Sequence, residues 1–261
     1  NKQFYKASPY ALEFDGQIIS NVSLLPLSLW LNGEVTQVIG VMSVATDPDY
    51  RKQGAARTLL EHSMKKIDQS GSDAILFTRT PELYAKFGFE VLDQQYKCFD
   101  AGDFSAATDR AHTEILQNLD PEITEKMAKL YASELPNYDG KVVRDPEYWW
   151  LYRLLFKNST STKLLTISRE NKLLGYLRFD HEPDRLLITE LCCASCSYDY
   201  ARALLGRLSE TAQAENISTI SIALADEHFL FDLLQRQKIQ LAPEPDSELR
   251  QAFMIRPTAG S

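Results

Sequence analysis

The sequence predicts a mixed α/β (α+β) protein built from two successive units of strands and helices. Apolar runs joined by Asp15-Gly16 and Asn32-Gly33 predict an antiparallel series of strands near the start. A strand, a glycine-containing loop and a helix follow at residues 38–69, and a similar order of elements recurs after residue 105. These observations favour two mixed, mostly antiparallel sheets, each flanked by helices.

Composition limits the classes of function. The 261 residues are 44% hydrophobic and 25% charged, which is typical of a globular protein. The net charge of -8 makes nucleic acid an improbable partner and slightly favours a cationic or amine-bearing one. No apolar run approaches the roughly 20 residues that span a bilayer, so we expect no membrane partner and a cytoplasmic location. The sequence is also compatible with a homo-oligomer.

Three of the four cysteines cluster at residues 192–196, and Cys193 and Cys196 have CxxC spacing. This spacing occurs in redox and zinc sites, but a zinc site needs further ligands, and no histidine is suitably spaced. Cys192 and Cys193 also end a strand-like run, where thiols usually fill apolar space. We therefore expect buried, reduced thiols and no metal.

Turn and capping signals define the first series of elements. Thr80 and Pro81 are suited to the N-cap and first turn of a short helix, and Gly88 is suited to its end. The predicted strands are 8–14, 18–32, 38–45, 74–78 and 89–96, and the predicted helices follow Gly54 and Pro81. In the longer helix the predicted apolar face contains Ala56, Leu59, Leu60, Met64 and Ile67.

The loop before the first helix has the chemistry of an anion site. The first N–H groups of a helix have no intrahelical acceptor and lie at the positive end of its dipole, so they can bind a phosphate. Gly54 and the small residues Ala55 and Ala56 would allow close approach, and Arg51, Lys52 and Arg57 add positive charge. The alternative is a strand–loop–helix unit with ordinary surface basic residues.

Helix-capping signals also mark where helices begin in the second series of elements. Asp120-Pro121 and Asp145-Pro146 have the pattern of an N-cap followed by a first-turn proline. The predicted helices are 121–134, 146–156, 198–214 and a short one after Asp226; the predicted strands are 163–169, 173–180, 186–193, 217–224 and 252–255. We expect Trp149 and Trp150 to anchor the second of these helices, with an acceptor pocket as the alternative. The histidines, predicted to be surface or structural, are His62, His112, His181 and His228.

Two motifs in the first series resemble those of the GNAT superfamily of acetyl-CoA-dependent N-acetyltransferases. Arg51, Gly54 and Ala56 match its pyrophosphate motif, Arg/Gln-x-x-Gly-x-Gly/Ala, and the stretch from Tyr84 to Phe89 matches Tyr-x-x-x-Gly-Phe. Each motif alone is moderately specific. Their order, separation and placement on successive strand–helix elements make the resemblance strong.

The resemblance extends to a tandem arrangement. It implies a catalytic GNAT unit at 1–105 and a degenerate GNAT-like unit at 106–261, because the loop counterpart at 195–203 has no glycine. One active and one degenerate unit resemble the Eis-type acetyltransferases, whose Tyr-Gly-Arg-Phe-Gly-Tyr element is similar to residues 84–89. The first unit is expected to lack the family's first strand and two helices. The terminal carboxylate of the further C-terminal domain of Eis-type proteins, the base expected there, is not carried over to this sequence.

The resemblance also implies site residues. It places acetyl-CoA, as co-substrate and without a metal, between the third and fourth strands. The implied cofactor-binding residues are Val44, Ala45, Thr46, Arg51, Lys52, Gln53, Gly54, Ala55, Ala56, Arg57, Arg79 and Thr80. Tyr84 is the expected general acid, because a phenol remains protonated at neutral pH and can donate to a departing thiolate. Packing of the short helix is the alternative role for Tyr84.

These inferences predict an acyltransferase that moves an acetyl group from acetyl-CoA to a primary amine of a small molecule. The amine attacks directly within a ternary complex, and aminoglycoside-like and polyamine-like amines are the acceptor classes considered. Asp47, Asp49 or a carboxylate of the second unit would assist deprotonation of the amine, and the sequence does not choose between them. The alternatives are a non-catalytic acyl-CoA-binding regulatory protein and a protein-interaction module.

Overall fold

A computed structural model of the chain shows two compact units, and each is described by itself. The first contains residues 1–94 and 248–261, and the second contains residues 95–247. The structure describes residues 6–92, 96–104, 112–134, 136, 138–244 and 252–258. Within those ranges, no helix combines the length and apolarity needed to cross a membrane.

The first unit is a mixed sheet in the strand order β1-β2-β3-β4-β14-β5. Only the β3–β4 pairing is parallel, and the others along this order are antiparallel. Its elements are β1 (Ser8–Phe14), β2 (Gln17–Leu31), β3 (Glu34–Thr46), α1 (Ala55–Ser70), β4 (Asp73–Thr78), α2 (Pro81–Ala85), β5 (Glu90–Leu92) and β14 (Ala252–Arg256).

Helix α1 covers one face of this sheet. Leu59, Leu60, Met64 and Ile67 are buried as the 3.6-residue spacing predicts. Ala55 is buried in place of the expected Ala56, which is only half-buried. The other buried members of this core include Val22, Leu24, Val41, Ala74, Leu76, Tyr84, Phe89 and Met254. The buried core therefore includes the strands and helices on both sides of the β3–β4 pairing.

The second unit has a complete sheet of its own in the order β13-β6-β12-β11-β10-β9-β7. Its only parallel pairing, within the described part, is β11–β12. Its elements are β6 (Lys97–Asp100), β7 (His112–Leu116), α3 (Pro121–Glu134), β8 (Lys141–Val142), α4 (Pro146–Asn158), β9 (Thr162–Arg169), β10 (Lys172–His181), β11 (Arg185–Cys193), α5 (Tyr198–Ala214), β12 (Thr219–Ile222), α6 (Phe229–Arg236) and β13 (Ala242–Pro243).

Helices cover both faces of the second sheet. One apolar core contains buried residues of α5 and α6, such as Leu204 and Leu234, together with Leu177 of the sheet. The opposite core contains residues of α3 and α4, including Met127 and Trp149. Burial on both faces explains why β9 to β11 are nearly continuous apolar runs.

The unit boundary differs from the one expected at residue 105. Strand β6 pairs with β12 and β13 of the second sheet, so the second unit begins at residue 95. The chain's last strand, β14, inserts between β4 and β5 of the first sheet. Each unit thus completes its sheet with a strand that a sequential division assigns to the other unit. Hydrophobicity identifies β14 but not its partners, and β6 is not among the strands predicted from the sequence. Residues 93–95 of the strand expected at 89–96 lie outside the described ranges.

Candidate active site in the first unit

The site is organised by two parallel strands that diverge. Residues Val38, Ile39 and Gly40 of β3 pair with Asp73, Ala74 and Ile75 of β4. Beyond these pairs, residues 41–46 of β3 do not pair with the described residues of β4, whereas β4 stays paired with β14 up to Thr78. The described part of the first unit therefore has an open edge on β3 at the carboxyl ends of parallel strands, where α/β proteins commonly bind ligands.

A bulge in β3 lies beside this open edge. Ser43 has φ of +55°, and the pairing with β2 changes register there: Asn21 faces Ala45 but Ser23 faces Met42. Two residues of β3 thus lie opposite Val22, which bends the strand and re-aims its backbone groups. The Asn21 amide donates to the Ser43 carbonyl and holds the bulge in place.

The turn after β3 is fixed by its own hydrogen bonds. The Asp47 carboxylate accepts the Asp49 N–H at 3.0 Å and caps a short 3-10 turn at Pro48–Tyr50. Arg51 Nε donates to the Thr46 carbonyl at 3.2 Å. Lys52 and Gly54 then adopt positive φ angles of 62° and 89°. Glycine suits the larger angle because it has no Cβ.

Helix α1 begins with backbone N–H groups that no described residue of the protein accepts. Gly54 is its N-cap, and no side chain caps this end. The first N–H with an intrahelical acceptor belongs to Thr58, which donates to the Gly54 carbonyl at 2.9 Å. The N–H groups of residues 55–57 have no protein acceptor in the described part of the chain, and a Cβ built on Gly54 meets no atom within 4 Å. This arrangement suits an anion.

The predicted cationic residues near this helix end differ in how many contacts they make with the protein. Lys52 and Arg79 are exposed and have no ion pair within the described ranges. Arg57 is paired with Glu61 at 2.8 Å on the helix surface, and Arg51 is engaged with the loop backbone. Gln53 is also turned to the loop, donating to the Asp49 carbonyl at 3.1 Å. Lys52 is therefore the cation in this loop with the fewest protein contacts.

Tyr84 lies beyond the end of β4, in helix α2. It is 7% exposed and packs edge-on against Phe89, with ring centroids 6.1 Å apart. Burial raises the pKa of Tyr84, although a hydrogen bond to the Thr78 side chain opposes the shift. The phenol is therefore protonated at neutral pH, as a proton donor requires.

Thr78 contacts both Thr80 and Tyr84, which the sequence patterns do not reveal. Its hydroxyl accepts the Thr80 N–H at 3.0 Å and lies 3.2 Å from the Thr80 hydroxyl. Thr80 is the N-cap of α2, as predicted, but its side chain makes no capping hydrogen bond. The position of Thr78 as the last residue of β4 is the only signal in the sequence.

The corresponding loop of the second unit is occupied by protein. The Ser195 N–H donates to the Glu134 carboxylate at 2.8 Å, and the Cys196 thiol lies 3.4 Å from the same carboxylate. Glu134 is 6% exposed, so an internal anion occupies the place where a phosphate would approach this loop. Sequence reasoning missed Glu134 because it lies about 60 residues earlier in the chain.

Other predicted side-chain roles are mixed. All four cysteines are free, and three of them are buried, but Cys196 is only half-buried. Trp149 is buried in the second unit, as expected of an anchor, whereas Trp150 is 45% exposed and anchors little. His62 and His112 are exposed, and His228 is buried with structural hydrogen bonds. No group of three or more metal-ligating side chains occurs among the residues that the structure describes.

Comparison with known proteins agrees with this geometry. Residues 3–92 match the family model of the acetyltransferase (GNAT) domain. The chain is 35% identical over 81 residues to the uncharacterized N-acetyltransferase YhbS of Escherichia coli K12. That match covers 31% of this chain and 47% of YhbS, so the chain spans about half the length of this curated relative.

Solved structures share the fold across both units. A probable N-acyltransferase from Enterococcus faecalis V583 superposes with a TM-score of 0.69 at 18% identity, covering 97% of this chain and 62% of that one. Eis1 from Mycobacterium abscessus superposes with a TM-score of 0.62 at 16% identity, covering 94% of this chain and 64% of that one. A tandem GNAT protein from the clavulanic acid biosynthesis pathway superposes with a TM-score of 0.55 at 13% identity, covering 98% of this chain and 85% of that one. Residues 3–92 thus match the acetyltransferase (GNAT) domain model, and the chain shares its fold with these tandem GNAT structures.

Proposed function

We propose that the first unit binds acetyl-CoA and transfers its acetyl group to a primary amine of a small molecule. The observation that carries this proposal is the uncapped start of α1 after Gly54, which lies beside the open edge of β3. Free N–H groups, a positive dipole end and the nearby Lys52 together suit a diphosphate.

In this proposal the rest of the cofactor follows the open edge of β3. Backbone groups of Val44, Ala45 and Thr46 bind the pantetheine arm, which places the thioester near the bulge. Lys52 to Arg57 hold the diphosphate, and Arg79 and Thr80 contact the cofactor from the end of β4. Holding both reactants in one cleft supplies much of the rate enhancement, because the entropic cost of bringing them together is met on binding.

The chemistry then needs one proton donor. The neutral amine attacks the thioester carbonyl carbon, and an N–C bond forms as the carbonyl oxygen gains charge. When the C–S bond breaks, the departing thiolate takes the proton of the Tyr84 hydroxyl, and the amine loses a proton to water. The phenolate recovers its proton from solvent. The Asp47 carboxylate is engaged with the Asp49 N–H, so Asp47 is a poorer candidate base than its sequence position implies.

The proposal is tested by thiol release from acetyl-CoA across a panel of small amines that includes polyamines and aminoglycosides. Tyr84→Phe keeps the ring that packs against Phe89 and removes the proton donor, so we expect kcat to fall about 100-fold with CoA affinity unchanged. Tyr152→Phe is the matched control, because Tyr152 is a buried tyrosine of the second unit whose hydroxyl has no hydrogen-bond partner among the described residues.

Two outcomes would contradict the proposal. CoA binding without thiol release for any amine would favour a non-catalytic acyl-CoA-binding protein. Loss of CoA binding in Tyr84→Phe, with kcat per bound CoA unchanged, would make Tyr84 a packing residue.

A further inference from the structure

The second unit has a cleft of its own at the carboxyl ends of its parallel strands. Strands β11 and β12 pair from Arg185 to Ile188 and from Thr219 to Ile222, and then diverge. A cavity of about 190 Å³ lies beyond the last pair. We name this cavity the second-unit cleft, and its lining includes Lys141, Val142, Arg144, Glu190, Leu191 and Leu224.

A nucleotide is a poor match for this cleft. The loop after β11 presents the Ser195 N–H to the buried Glu134 carboxylate, and Asp199 lies in the first turn of α5. Two carboxylates thus lie where a diphosphate would need positive charge. A volume of about 190 Å³ corresponds to roughly six water molecules, which suits a ligand of a few heavy atoms.

The charges of the cleft leave one cation in excess. Arg144 makes a two-pronged ion pair with Glu190, with both N–O distances 2.8 Å, and Tyr176 donates a further hydrogen bond to Glu190. This pair is electrically neutral. Lys141 has no carboxylate partner among the described residues, and its Nζ lies 4.1 Å from the centre of the Tyr138 ring. Burial lowers the pKa of Lys141, consistent with an incompletely compensated ammonium.

A second polar group also lacks a partner. Arg144 has a side chain only 10% exposed, and its Nε is buried without a hydrogen bond to any residue in the described ranges. An unsatisfied buried N–H is unfavourable, so an acceptor oxygen near Arg144 would stabilise the site. His228 adds no charge, because burial lowers its pKa to about 4.

We propose that the second-unit cleft binds a small aliphatic carboxylate, with its charged end on Lys141 and Arg144. The hydrocarbon part then lies against Val142, Leu191 and Leu224. A single excess cation matches a monoanion better than a phosphate dianion, and the aliphatic lining favours a ligand that has an apolar end.

The test measures the thermal unfolding midpoint against isobutyrate concentration at constant ionic strength and pH 7.5. We expect a saturable rise with isobutyrate and none with isobutyramide, its neutral isostere, or with inorganic phosphate. Lys141→Met should weaken the apparent affinity about tenfold, because it removes the charge and keeps the aliphatic stem. Lys172→Met, an exposed lysine of β10, is the matched control and should behave as the unsubstituted protein.

A second variant keeps the test decisive if Lys141→Met folds poorly. Leu224→Trp fills the cleft without changing its charge and should abolish the response. The proposal is overturned by an equal response to isobutyramide, by an equal response to phosphate, by no response at all, or by a response that Leu224→Trp leaves intact.

Discussion

His228 and Tyr84 are both buried, but burial has opposite consequences for their protons. Low polarity disfavours whichever form is charged, so the imidazole stays unprotonated and the phenol stays protonated. His228 accordingly accepts the Leu230 N–H through Nδ1 at 3.2 Å, and its Nε2 lies 3.2 Å from the Leu191 carbonyl. It caps α6, whereas Tyr84 retains a proton that it can donate.

The pKa of His228 predicts a stability change in mild acid. Burial, with a smaller effect of Lys141, lowers this pKa from 6.5 to about 4. The unfolded chain therefore binds the proton more tightly, so the stabilisation is complete above pH 6.5 and is lost as the pH falls towards 4. The expected contribution is about 3 kcal/mol. His228→Asn keeps a capping side chain and should flatten the pH dependence of urea unfolding between pH 6.5 and 4.5.

His62→Asn is the control for this measurement, because His62 is exposed on α1. It should leave the pH profile unchanged. A profile of His228→Asn as steep as that of the unsubstituted protein would show that other groups govern the acid sensitivity.

At the scale of elements, local signals were sufficient for all the α-helices of the described residues and for most strands. The strands that they did not predict are β6, β7, β8 and β13. The helix at 121–134 has the predicted bounds, and the caps at Asp120 and Asp145 form as expected, with carboxylates accepting the Ile123 and Tyr148 N–H groups. The bulge at Ser43 was not foreseen. It depends on pairing with β2 rather than on local sequence, since serine has no special preference for positive φ.

Helix α1 provides a matched pair of glycines for testing the anion site. Gly54 at its start and Gly71 at its end both have positive φ angles, and neither has an atom within 4 Å of a built Cβ. Alanine at either position should therefore lower the free energy of unfolding by a similar amount, roughly 1–2 kcal/mol, because the positive φ strains its backbone. Only Gly54→Ala should weaken CoA binding, by about tenfold, because only this position adjoins the free amides.

Calorimetric titration with CoA measures this difference, and unfolding of both variants confirms that their stability losses are comparable. Equal affinities for CoA in Gly54→Ala and Gly71→Ala would show that the helix end does not contact the cofactor.

At the scale of the whole molecule, the repeated order of elements was predictable, but the assignment of two strands was not. Met254 is 1% exposed in the core of the first unit, although it lies more than 150 residues after the rest of that unit's sequence. Periodicity identifies such a strand without indicating its neighbours. The same limit hid Glu134, whose contact with Ser195 arises only from the fold.

The two loops that follow β3 and β11 differ in whether their backbone N–H groups can bind a phosphate. The amides after Gly54 are free in the described structure, whereas the Ser195 amide is bound by a carboxylate. The chain should therefore bind one nucleotide cofactor, in the first unit.

Titration of the chain with CoA and, separately, with pantetheine tests the central claim most directly, because the two ligands differ by the nucleotide and its diphosphate. We predict one CoA bound per chain, with pantetheine at least about tenfold weaker. Absence of CoA binding, or equal affinities for CoA and pantetheine, would contradict a diphosphate site at the start of α1.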